Sequence, residues 1–184
     1  MQKRGPKDSV FRRSIDVQIV IRQARPEDCQ AVSEVLREAV SWMASNGTPL
    51  WSVDEVSEGR ISADVNAGIY ILALANGSPV GTMKYQLDDP QIWPDVPPNE
   101  SAFVHRLAVR RRCAGGSISF ALLSWAVSQT VGLGRKFLRL DCASDRPKLR
   151  AIYERFGFVH YSDRQVGPYL VSRYECAVER ELRD

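Results

Sequence analysis

RRRCAGGSISFALL, residues 110–123, passes from three arginines through a Gly-Gly pair into an apolar run. Ile118, Ala121 and Leu122, continued by Trp125 and Ala126, step by three and four, the spacing of one face of a helix. The helix is predicted to start near Gly116 and to end near Gly132 or Gly134. Its first turn presents backbone N–H groups without intrahelical partners, and these suit a phosphate. An arginine beside the turn suits the same ligand. The features equally describe a structural turn that binds only water or a capping side chain.

Outward from this stretch, the chain alternates strand and helix signals. SAFVHRLAV (101–109) reads as a strand leading straight into it, and KFLRLDC (136–142) as the strand that follows its helix. RPKLRAIYERFG (146–157) is a short helix, and FVHYSD and PYLVSRYECAV are closing strands. Upstream, VQIVIRQAR (17–25) is a first strand. In the helix after it, Val32, Val35, Leu36, Ala39, Val40 and Met43 share one face, Pro26 suits the first turn and Gly47 the stop. A weaker helix covers VDEVSEGRISADV. IYILALA (69–75) and SPVGTMKYQLDD form a hairpin about Asn76-Gly77. DDPQIWPDVPPNE (88–100) holds four prolines and reads as a constrained loop fit to border a site. The order predicts a mixed α/β sheet of six or seven strands covered by helices.

Composition narrows the function classes. The chain has 184 residues, 44% hydrophobic and 26% charged, an ordinary globular balance for one domain. Neither a membrane-length apolar run nor a secretory leader is read, so the expected compartment is the cytoplasm. Cys29, Cys113, Cys142 and Cys176 are scattered and the histidines are His105 and His160, so neither a zinc nor a disulfide framework is expected. Without GxxxxGK[ST], a P-loop nucleotide site is excluded. Net charge is +3 but unevenly spread, with −7 over residues 17–105 and +8 over 106–155. That segregation fits solvated helix faces, or an anionic ligand held by the basic segment. A nucleic-acid module is disfavoured, because the arginines cluster at one turn instead of interleaving with aromatics on one face. Residues 1–16 read as a basic tail and 17–184 as a single domain.

HRLAV, the turn AGGSIS, ALLSWA, and LRLDC…RPKLRAIYERFGF together resemble the GCN5-related N-acetyltransferase (GNAT) family. The resemblance runs from about residue 17 to 178 and is densest over 103–158. Trp42 and Trp51, in WMASNGTPLW, are similar to the tryptophans of small bacterial members. The resemblance implies a mostly antiparallel sheet splayed between its fourth and fifth strands, with helices on both faces. It implies acetyl-CoA as co-substrate, no metal, and direct acetyl transfer to a primary amine of a small molecule or peptide. Backbone groups of Leu107, Ala108 and Val109 would pair with the pantetheine arm as an added strand would. The N–H groups of Ala114, Gly115, Gly116, Ser117, Ile118 and Ser119 would hold the diphosphate.

Two departures from the family pattern stand out. At the turn, the family's Gln or Arg and its two later small residues fall on Ala114, Ser117 and Ser119. Arg112 and its neighbours Arg110 and Arg111 are then the expected substitutes for the lost guanidinium. Downstream, Arg146 stands where the family usually has asparagine, and is expected either to reach the cofactor or to cap the helix. Tyr153 matches the family's general acid, which protonates the leaving thiolate, although the spacing also fits the edge of a core. His105, two residues before Leu107, is the expected base, with Glu100 and Asp141 as alternatives and a structural role also open. Asp88, Asp89, Asp95 and Glu100, with Asp54, Glu55 and Glu58 and the rings of Trp51, Trp93 and Tyr85, suggest a cationic acceptor. They also fit a solvated surface over core aromatics. A catalytically degenerate fold that binds CoA without turnover is the alternative reading, and members of the family often form homodimers.

Overall fold

The computed structural model describes residues 18–178, so the expected tail of residues 1–16 lies outside the described residues. Eleven elements follow in order. They are β1 (Ile19–Gln23), α1 (Cys29–Ser45), α2 (Glu58–Asn66), β2 (Tyr70–Ala75), β3 (Ser78–Gln86) and β4 (Ser101–Val109). Then come α3 (Ser117–Gly132), β5 (Phe137–Ala143), α4 (Pro147–Phe156), β6 (Val159–Val166) and β7 (Tyr169–Ala177). All seven strands join one sheet in the order β1-β2-β3-β4-β5-β7-β6. Every pair is antiparallel except β4–β5.

Alternation along the strands sorts side chains onto two faces. Tyr70 and Leu72 of β2 pack with Val32, Val35 and Leu36 of α1 and with Ile61 and Val65 of α2. Ile71 and Ala73 face the other way and join Leu122, Leu123 and Ala126 of α3 in the larger core. That core continues through Leu138, Leu140 and Tyr174, with Tyr153 of α4 at its edge. Helices therefore cover both faces, as the patterning and the resemblance implied.

Two local features shape the middle of the sheet. The parallel ladder between β4 and β5 runs only from Ser101↔Phe137 to Val104↔Leu140. Beyond it, His105–Val109 and Asp141–Ala143 diverge, and the sheet splays. In the same stretch, β4 carries a bulge: Thr82 pairs with Ala108 and Lys84 with His105, so one residue of β3 faces two of β4. Arg106 takes up the bulge with φ +51°. The hairpin turn has Asn76 at φ 48° and Gly77 at φ 79°, the two positive values that an Asn-Gly turn accommodates.

The second helix departs from its expected span. Asp54–Val56 forms a separate 3₁₀ turn, and Ser57 is extended (ψ 153°), so α2 starts only at Glu58. The proline-rich loop is pinned from below. Arg173 binds both carboxylate oxygens of Asp95, at 2.5 and 2.9 Å, and the carbonyl of Ile92 at 3.1 Å. The guanidinium groups of Arg139 and Arg173 lie 5.2 and 4.8 Å from the Trp93 ring. These contacts fix a loop without regular structure, and the loop brings Asp89 to the mouth of the splay.

Candidate active site

The splay opens into a cleft of about 850 Å³. One wall is β4 from Val104 to Val109, and the other is Asp141, Cys142 and Ala143 with Leu149, Ile152 and Tyr153 of α4. Ala114, Gly115, Gly116 and Ser119 line it at the turn into α3; Trp42, Met43, Leu50, Trp51, Asp88 and Asp89 line it from α1, the loop after α1 and the proline-rich loop. Leu107, Ala108 and Val109 thus stand on the cleft wall beyond the last β4–β5 pair, with that strand edge turned to the cavity.

At that turn, Gly115 (φ 139°) and Gly116 (φ 104°) adopt backbone angles that side chains resist, and they lead the chain into α3. No side chain caps α3, so the N–H groups of its first turn, Ser117 to Ser119, lack intrahelical acceptors. Ile118 contributes backbone only, because its side chain is buried in the core. The geometry fits a diphosphate: a glycine turn open at a helix N-terminus, lining the same cleft as the β4 edge.

The arginines divide their tasks differently from expectation. Arg110 is consumed by α1, meeting Glu38 at 3.0 Å and Glu34 at 3.1 Å. The backbone N–H of Arg111, then Arg110, hold the Glu38 carboxyl below its ordinary range. The Arg111 guanidinium lies 4.1 Å from the Trp42 ring and lines the cleft. Arg112 is exposed and is not part of the cleft wall. The Arg155 guanidinium also stands beside the turn, since a Cβ added to Gly116 would lie 3.2 Å from its Nη2; like Arg112, Arg155 is exposed and off the cleft wall. Sequence reading missed this residue: two positions after Tyr153 on a helix it lies on a different face, so the motif around the tyrosine did not point to it.

Arg146 is held by protein groups in this structure. It is absent from the cleft wall; its Nη2 donates to the Thr48 carbonyl at 3.0 Å and its Nε lies 3.2 Å from Asp145. The turn that starts α4 faces the α1–α2 connection, and the longer arginine side chain reaches that loop.

Midway along the cleft, Tyr153 is 5 % exposed yet lines the cavity. Burial holds its phenol well above the ordinary range, and Cys142 and Asp141 push the same way, so it stays protonated. His105 sits between two carboxylates: Nδ1 is 3.3 Å from Asp141 Oδ1, and Nε2 is 3.2 Å from Asp89 Oδ2. Asp89 is only 9 % exposed, and its Oδ2 lacks a well-aligned hydrogen bond, so the contact is one of charge and not of direction. Its Oδ1 accepts from the Ile92 N–H at 3.1 Å, which orients the group. Burial alone would lower the histidine pKa, but the two carboxylates outweigh it and raise the value to about 9. The three ligand atoms lie within 4.8 Å of one another and could hold a metal ion. A proton on the imidazole supplies the same charge balance. Cys142 also lines the cleft, and burial pushes its thiol up to about 12.

The expected acceptor surface shrinks. Glu100 pairs with Lys136 at 2.6 Å, off the cleft. Tyr85 bonds Thr130 at 3.0 Å, Trp93 is buried under the loop, Asp95 is bound by Arg173 and Asp54 by Arg60. Glu58 is absent from the wall as well. Trp51, Glu55, Asp88 and Asp89 remain, joined by Lys84, Arg106 and Arg111, so the lining carries both signs of charge.

A model of the acetyltransferase (GNAT) family matches residues 23–158. The chain belongs to the GNAT family of acetyltransferases. Among curated proteins it is similar to the uncharacterized N-acetyltransferase YesJ of Bacillus subtilis (strain 168), with 26% identity over 140 residues, 72% of this chain and 77% of that protein. Its fold is similar to a GNAT-family acetyltransferase from Listeria monocytogenes 4b F2365 (TM-score 0.73, 20% identity, 88% of this chain and 95% of that one). It is similar also to the PaiA N-acetyltransferase of Thermoplasma acidophilum solved with coenzyme A (TM-score 0.68, 18% identity, 85% and 98%). YncA of Salmonella typhimurium, solved with acetyl-CoA, gives a TM-score of 0.67 at 16% identity over 91% and 98%. At these identities the structural likeness establishes the fold.

Proposed function

We propose that the protein is an acetyl-CoA-dependent N-acetyltransferase of the cytoplasm that moves the acetyl group directly to a primary amine of a small molecule or peptide. One observation carries the reading: a single cleft joins an uncapped glycine turn, a free β4 edge, a protonated tyrosine and a carboxylate-flanked histidine. Acetyl-CoA supplies the activated acetyl group as a thioester. Leu107, Ala108 and Val109 hold the pantetheine arm through their backbone groups, as a neighbouring strand would. The N–H groups from Ala114 to Ser119 hold the diphosphate, with the Arg155 guanidinium beside them.

Tyr153 gives its phenolic proton to the departing thiolate, and its raised pKa keeps that proton in place beforehand. His105 takes a proton from the acceptor ammonium, which frees the nitrogen lone pair for attack. A histidine titrating near 9 is a close match in basicity to an alkylammonium, so the proton moves with little uphill cost. The match has a consequence at neutral pH, where most His105 already carries a proton. The Cys142 thiol, held at about 12, favours direct transfer over an acyl-cysteine route. Walls of mixed charge fit an acceptor with one ammonium beside apolar or aromatic surface better than a polycation.

The test is the pH dependence of amine-stimulated CoA release, screened over a library of primary amines. The expected kcat/KM climbs with pH and levels off near 9; in His105→Gln the rate is lower and the limb moves up toward the pKa of the acceptor ammonium, about 10. A flat profile between pH 6.5 and 9 in the wild type contradicts the base assignment. Binding of acetyl-CoA without turnover of any amine favours the degenerate fold.

A further inference from the structure

The α1–α2 connection crosses the mouth of the cleft, and two arginines from different halves of the sheet hold its ends. At the near end, Thr48 closes α1: its N–H bonds the Met43 carbonyl at 2.9 Å, and its hydroxyl donates to the same oxygen at 3.3 Å. Its own carbonyl faces outward from that cap and accepts from Arg146 Nη2 at 3.0 Å. Arg146 opens α4, on the β5 side of the splay, 98 residues along the chain from Thr48. The side chain is 17 % exposed, and its Nε lies 3.2 Å from the exposed carboxylate of Asp145. At the far end, Arg106 on the β4 bulge donates to the Glu55 carbonyl at 2.9 Å. Its guanidinium lies 5.8 Å from the Trp51 ring. Between the two clasps run Leu50 and Trp51, which form part of the cleft wall.

We propose that Arg146 is a positioning residue for the acceptor end: it ties the 48–55 segment to α4 across the open side of the splay, so that Leu50 and Trp51 stand at a fixed distance from Tyr153. The inference rests on reading that end as the acceptor end. Arg146 acts through Leu50 and Trp51 and touches neither reacting atoms nor cofactor. The geometry explains why a planar fork suits the position. One guanidinium edge meets a carbonyl on the loop while the Nε side faces the carboxylate of Asp145, just before α4. A lysine ammonium would reach the loop carbonyl but would not bridge the two edges in the same plane.

The experiment compares the full chain with Arg146→Ala and Arg146→Lys by amide hydrogen exchange and by calorimetric titration with acetyl-CoA. In Arg146→Ala the amides of Leu50, Trp51 and Ser52 are expected to exchange about tenfold faster or more, while those of β2 and β3 keep their wild-type rates. The acetyl-CoA Kd is expected to stay within about twofold, and Arg146→Lys is expected to recover part of the protection. Faster exchange throughout the sheet would make Arg146 a general stabiliser and overturn the proposal. Unchanged exchange overturns it too, and a Kd weakened about tenfold marks Arg146 as a cofactor ligand instead. Absence of acetyl-CoA binding by the wild type would sink the acetyltransferase reading while leaving the exchange result intact as a measure of the clasp.

Discussion

Two parts of the cleft lining are made of different material. At the glycine turn, the groups offered to a ligand are backbone: the N–H groups leading into α3 and the free edge of β4 from Leu107 to Val109. Elsewhere on the lining they are side chains from segments far apart in sequence. Trp42 and Trp51 come from α1 and the loop after it, Asp89 from the proline-rich loop and Arg106 from the β4 bulge. A backbone site depends on conformation, so it tolerates Ser117 and Ser119 where the family has smaller residues. A side-chain site depends on which residues meet, and it changes with each substitution. That contrast is why the turn can be placed from a motif while the partners of the other lining side chains cannot.

Substitutions at the junction of the two parts should have the largest effects. Tyr153→Phe removes the proton donor but keeps the ring in the core, so kcat should fall by roughly 10³ with acetyl-CoA affinity unchanged. Stopped-flow CoA release and calorimetry on the same preparation separate the two quantities. His105→Gln should lower kcat/KM by roughly 10² above pH 9, and less at neutral pH where the wild-type base is mostly protonated. A larger loss at pH 7 than at pH 9 would mean that the histidine acts as a cation.

At the backbone site, Arg155→Ala should weaken acetyl-CoA binding by about tenfold and leave kcat nearly unchanged, because it removes one charged partner of a phosphate. If Arg112→Ala weakens binding more than Arg155→Ala does, the guanidinium beside the turn has been assigned to the wrong element.

The smallest effect concerns stability. The folded-state pKa of His105 lies above that of a free histidine, so its contribution is complete below about 6.5 and is lost as pH rises through about 9. The loss amounts at most to roughly 3 kcal/mol, and denaturant midpoints at pH 6.5 and 9.5 measure it. His105→Gln should flatten that interval.

Much of the fold was legible because periodicity and turn chemistry act locally. The helix expected from Gly116 begins at Ser117 and ends at Gly132, and the Asn76-Gly77 hairpin forms at those two residues. The break at Ser57, which divides a 3₁₀ turn from α2, carries no such signal, since serine is common both at helix starts and inside weak helices. In the site, the elements bearing Tyr153, His105 and the glycine turn could be placed from motifs. The partners of those residues could not. Asp89 meets His105 from a loop that Arg173, 78 residues beyond Asp95, holds at Ile92 and Asp95. The protein contacts of Arg146 were illegible for the same reason. Its position in the motif pointed to the cofactor, but the length of its side chain and the carbonyl of Thr48 decide where it goes.

Calorimetric titration of the full chain with acetyl-CoA tests the central claim most directly. The account predicts saturable one-to-one binding with a Kd on the order of 1–100 μM, weakened in Arg155→Ala and unaltered in Tyr153→Phe. Absence of heat at millimolar acetyl-CoA would contradict it, because the glycine turn and the splayed strands would then form a family fold that no longer holds the family's substrate.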